Sequence, residues 1–137
     1  MLRHNVSSGS EFESTVGYSR TVRIGPYIAV AGTTGAGEDV ASQARDALRR
    51  INTALQEVGA SMSDVVRTRM FVTDISLWGE VAKVHAEVFG DIRPAATMVE
   101  VAALIAPELM VEIEVDAYIA EQPSEGTAAN LPSAPGR

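Results

Sequence analysis

The sequence contains no cysteine, which removes disulfides, a thiolate nucleophile and any cysteine-built metal site. It has two histidines, His4 near the start and His85 inside an apolar stripe, and they do not stand at a recognised ligand spacing. No resident metal and no other cofactor is expected. Long apolar runs are missing as well: nothing approaches the ~18 residues that a membrane span needs. The start, "MLRHNVSSGSEFES", is not followed by the apolar core of a secretory leader, so the expected location is cytoplasmic. Positive charge is scarce. Eleven Lys and Arg against 18 Asp and Glu give a formal net charge of -7, which repels phosphate backbones, so nucleic acid is not an expected partner.

What remains is an ordinary globular composition, 46% hydrophobic and 21% charged over 137 residues, enough for one domain with a core. The last stretch, "EQPSEGTAANLPSAPGR", is too poor in apolar residues to offset its ordering entropy. Residues 122–137 are therefore expected to be a disordered tail, and the polar residues 1–15 a flexible arm. The domain proper is expected over residues 16–121.

Within it, residues 20–24 and 27–31 are β-prone runs split by Gly25-Pro26, the pattern of a hairpin. The glycine-punctuated "AGTTGAGED" leads to Asp39, a good helix N-cap, and Val40, Ala44, Ala47, Leu48, Ile51, Leu55 and Val58 recur at helical spacing up to Gly59. "VVRTRMFVT" reads as a strand with Val66, Thr68, Met70 and Val72 on one face and Arg67 and Arg69 on the other. Ser76 is placed to cap a second helix with a wide apolar stripe. Pro94 then opens a strand over 97–104, and a last strand covers 109–119. The order is ββαβαββ, an α+β fold with one mixed sheet and two helices on one face.

The last strand alternates strictly. Val111, Ile113, Val115 and Ala117 point to one face, and Glu112, Glu114 and Asp116 to the other, roughly 7 Å from neighbour to neighbour. Three carboxylates in a row are acid/base groups, metal ligands, or a solvated face neutralised by arginines on adjacent strands. His85 reads as a helix-edge packing residue or a base. The loop Gly32-Thr33-Thr34-Gly35-Ala36-Gly37 either presents backbone amides to an anion or is a tight exit from the strand; it lacks the lysine of a P-loop.

The stretches "VGYSR", "VAGTTG", "ARDALRRINTALQEVGASMSDVVRTRMFVTDI", "RPAATMVEV" and "VEIEVDA" resemble, in order and across nearly the whole domain, the Rid (reactive intermediate deaminase) family, also called YjgF-like or L-PSP. The proline-led strand followed by V-E-I-E-[AV] is the most specific pair. The resemblance implies a chorismate-mutase-like fold and a homotrimer with a central barrel. It also implies three clefts between subunits, each taking a small-molecule ligand.

Archetypal members hydrolyse enamines and imines to keto acids and ammonia without a cofactor. They need a cation to hold the substrate carboxylate and an acid to position water. Carried over residue by residue, the acid is Glu112, and the arginine of P-A-R-[ST] is replaced by Ala96. Thr97 keeps the [ST] position, and Met98 stands where the family has a small residue. Tyr18 matches the pocket tyrosine, and Gly32 with Thr33 matches the glycine motif; the family's helix asparagine falls on Ala82. Arg93, Arg20 and Arg69 are candidate replacement cations. The implied function is ligand binding in the clefts, with deaminase-type C=N hydrolysis on a non-archetypal substrate. The alternative is a non-catalytic binding or regulatory protein, and less so an endoribonuclease, which the acidic balance disfavours.

Overall fold

A computed structural model describes residues 1–120, and the segment 122–137 expected as a disordered tail lies outside the described residues. Strands β1 (Arg3–Val6), β2 (Thr21–Ile24), β3 (Tyr27–Thr33), β4 (Val65–Val72), β5 (Ala95–Glu100) and β6 (Val111–Tyr118) form one sheet in the order β1-β2-β3-β6-β4-β5. Among the described residues the α-helices are α1 (Glu11–Val16), α2 (Val40–Glu57) and α3 (Trp78–Phe89), together with two 3-10 turns, Met62–Asp64 and Ile75–Leu77. All neighbouring strands are antiparallel except β4 and β5, whose parallel pairing requires the crossover that α3 supplies. Among the described residues no helix is long and apolar enough to cross a membrane.

The ββαβαββ order is present, with an addition. Residues 1–15, expected as a flexible arm, contain β1 paired with β2 and most of α1. Polar contacts do much of the holding: Asn5 donates to the Ser19 hydroxyl, and Glu13 accepts bonds from the backbone and hydroxyl of Ser8, while Val6 adds a partly buried apolar contact with the core. Those bonds hold the Glu13 carboxyl down at about 2. A search for apolar anchors passes over such a segment.

The core lies between the sheet and the helices α2 and α3. Val111, Ile113, Val115 and Ala117 of β6 are fully buried there, beside Ala44, Ala47, Leu48, Ile51 and Leu55 of α2 and Val81, Val84 and Phe89 of α3. Asp39 caps α2 by accepting from the Ser42 amide. The cap expected at Ser76 is instead Asp74, which accepts from the Ser76 amide and starts a 3-10 turn, Ile75–Leu77, ahead of α3. The strand expected over 97–104 ends at Glu100.

Strict alternation fails in β4. Between Val65 and Arg67 the register against β6 shifts, so Val65 is buried while Val66, expected to share the face of Thr68, Met70 and Val72, is 51% exposed. An extra residue in one strand inverts the facing of everything before it. A second shift, between Val30 and Thr33 of β3, sets up the candidate site.

Candidate functional site

The irregularity in β3 brings Gly32 against β6. A Cβ built on Gly32 would stand 2.9 Å from both Cδ and Oε2 of Glu112, so the carboxylate occupies space that only a glycine leaves open. Glu112 is partly buried, and desolvation, helped by the charge of Glu114, raises its carboxyl above the ordinary range while Arg20 opposes the shift. Arg20 is the organising cation. Its Nη1 donates to the Ala31 and Gly32 carbonyls at 3.2 and 2.8 Å and to the Thr33 hydroxyl at 2.8 Å. Its Nη2 donates to the Tyr18 hydroxyl at 3.3 Å, and the guanidinium lies 5.6 Å from the Tyr18 ring centroid. Tyr18, Gly32, Thr33 and Glu112 therefore form one cluster around Arg20.

The other expected site residues lie elsewhere. Thr68 pairs with Ala96 and Met70 with Met98, so Ala96 and Met98 share the helix-covered face, whereas Thr97 pairs with Arg69 on the opposite face. Strand β4 separates β5 from β6, a gap of roughly 9 to 10 Å. Within one chain, then, Ala96 and Glu112 stand on opposite faces of the sheet. Arg93 precedes β5 with a left-handed backbone, φ 54°, and its Nε donates back to the Gly90 carbonyl.

The second sheet face is polar but paired. Arg69 Nη1 lies 3.2 Å from Glu114 and 3.3 Å from Asp116, and Tyr27 faces Tyr118 across β3 and β6. Arg69 is thus engaged in neutralising the carboxylates. Val65 is buried by the β4 shift and Met110 packs partly against the core, so neither adds apolar surface to this face. Tyr118, Tyr27 and Val99 remain exposed.

The glycine-rich loop does not present a free anion cradle. The Ala36 amide donates to Asp46, Arg50 donates to the Thr34 carbonyl, and Gly35 lies directly on the α2 backbone. Sequence reasoning also missed a contact: Thr68, fully buried, shares a 2.9 Å hydrogen bond with Nε2 of His85. A polar residue on the apolar face of β4 is the signal that should have pointed to it.

Comparison with known proteins agrees with this architecture. The family model described as Endoribonuclease L-PSP matches residues 8–119. A RutC family protein of Pyrococcus abyssi is 32% identical over 109 residues, covering 74% of this chain and 85% of that protein. The crystal structure of Rv2704 from Mycobacterium tuberculosis, a member of the YjgF/YER057c/UK114 family, superposes with a TM-score of 0.85 at 68% identity, covering 86% of this chain and all of that one. NMB1025 from Neisseria meningitidis, a YjgF family member, gives a TM-score of 0.77 at 27% identity, covering 89% of this chain and 98% of that one. The chain therefore belongs to the L-PSP family, the family of the YjgF and RutC proteins.

Proposed function

We propose that the protein is a homotrimer that binds a small metabolite in three clefts between subunits, where Glu112 drives hydrolysis of a C=N bond without a cofactor. The observation that carries this reading is the Glu112 carboxylate, desolvated against Gly32 and kept from full burial. A carboxylate with a raised pKa is a stronger base than a solvated one. Water adds to the C=N carbon, Glu112 takes its proton and returns it to nitrogen, and the carbinolamine collapses to a carbonyl compound and ammonia. The Ala31 to Thr33 backbone, held by Arg20, fixes the floor on which the carboxylate rests.

A second reading, ligand binding without turnover, is favoured by Ala96, which offers no charged group to a substrate carboxylate. The test compares wild type with Glu112→Gln on 2-iminobutanoate and on butanimine, each released in situ from its amine by an oxidase. Wild type is expected to accelerate the loss of at least one imine over buffer, and Glu112→Gln to lose about 10²- to 10⁴-fold of that acceleration. Equal acceleration by the variant would remove Glu112 from the mechanism. Ligand binding with no acceleration would leave the binding reading.

The same variant has a thermodynamic signature. Because the folded-state pKa of Glu112 is raised, the folded protein holds more protons than the unfolded chain between the ordinary and the raised value. Stability from this group is therefore lost as pH rises through that window. Glu112→Gln should melt at a higher temperature than wild type at neutral pH, and this advantage should disappear below the ordinary carboxyl range.

A further inference from the structure

His85 belongs to α3, with its ring 4.7 Å from that of Phe89 one turn later and its Nε2 on the hydroxyl of Thr68. Phe89 and Thr68 are both fully buried, so the imidazole is fixed from two sides. Its other nitrogen, Nδ1, makes no hydrogen bond among the described residues, yet it is not among the enclosed, unpartnered side-chain atoms there. An oriented ring nitrogen thus remains open to solvent.

Thr68 is the register partner of Ala96, and both lie on the helix-covered face, with neighbouring strands roughly 4.8 Å apart. The His85 ring is therefore one strand away from the small side chain of Ala96. The remaining positions of that face on β5 are Met98 and Glu100, and Glu100 accepts a bond from the Ile75 amide. Among the described residues no Lys or Arg is a strand residue of β4 or β5 on this face, and Arg93, just before β5, is turned back onto the Gly90 carbonyl. Arg69 is on the opposite face, engaged with Glu114 and Asp116, and Arg20 is engaged with the β3 backbone.

We propose that His85 is a ligand-contacting residue, donating or accepting through Nδ1 beside Ala96, and that the cleft takes small ligands without a carboxylate, uncharged imines and their carbonyl products. The proposal rests on the cleft assigned under the proposed function. Burial lowers the His85 pKa, which keeps the ring neutral and makes it a hydrogen-bonding group instead of an anion clamp. The Thr68 hydroxyl sets the tautomer: when it donates to Nε2, Nδ1 carries the proton and becomes a donor to a ligand nitrogen or oxygen. Met98 adds an apolar wall on the same face, which suits an alkyl substituent more than a solvated carboxylate.

The experiment is an NMR titration of the full-length protein, following the ring nitrogens of His85 with butyramide and with butyrate as isosteric probes. Butyramide is expected to shift the His85 resonances to saturation, with an affinity at least about tenfold above that of butyrate. His85→Phe, which keeps the stacking surface, should lose butyramide binding by about tenfold; His85→Gln serves in its place if the phenylalanine variant does not fold. Ala96→Arg should reverse the preference in favour of butyrate. Tighter binding of butyrate to wild type, or butyramide binding that leaves the His85 resonances unmoved, would overturn the proposal, as would no binding of either probe. Imine hydrolysis is scored separately: its absence with the butyramide preference intact overturns the catalytic reading of Glu112 and supports the ligand class.

Discussion

A carboxylate resting on a glycine is a single-atom arrangement, and it can be tested at that scale. In Gly32→Ala the new methyl would meet the end of the Glu112 side chain rather than backbone, so the carboxylate can swing aside while the fold stays. The expected outcome is a melting temperature within a few degrees of wild type and a loss of about tenfold or more in any Glu112-dependent turnover. A variant with full activity would show that the position of this carboxylate does not matter. The residue scale is also where sequence reading is uneven. Glu112 was legible because strict alternation puts every second residue of β6 on one face, and the structure keeps that alternation from Val111 to Ala117. Arg20 was legible only as a nearby charge, since a guanidinium that spans three acceptors of a strand irregularity leaves no periodic trace.

The elements were mostly readable for the same reason that they are stable. Helix α2 announces itself through Asp39 and an apolar stripe, and both features act in the fold as the spacing implies. What was not readable is the pair of register shifts, in β3 and β4, because nothing in local propensity distinguishes a bulged valine from a paired one. The join between elements also hides a residue of consequence. Gln43 of α2, nearly fully buried, donates to the Gly37 and Glu108 carbonyls and accepts from the Met110 amide, tying the lead-in of β6 to the helix. Gln43→Leu fills the space but strands these backbone groups. It should cost about 2 to 4 kcal/mol, from the ~1 to 3 kcal/mol of each buried group left unpaired and partial relaxation of the others, read as a shift in the urea midpoint with unchanged slope. A loss below about 0.5 kcal/mol would mean that water replaces the glutamine.

At the scale of the whole molecule, the helices cover one sheet face and leave the other to Tyr27, Tyr118, Val99 and the Arg69 carboxylate pairs. The Glu112 cluster and the Ala96 strand cannot meet within one chain, because they occupy opposite faces two strands apart. A site containing both requires two copies, with the edge strand β5 of one brought to the β6 face of another. Closed cyclic assembly satisfies that requirement at every interface at once, which an open pairing does not. Sedimentation at micromolar protein is expected to show a single species near three times 14.5 kDa. Arg69→Glu should dissociate it, since a third carboxylate beside Glu114 and Asp116 replaces two attractions with two repulsions on a face that assembly would enclose. A wild-type monomer would leave Glu112 and His85 in separate sites and would overturn the shared cleft, while a trimer unaffected by Arg69→Glu would place the subunit contact on another face.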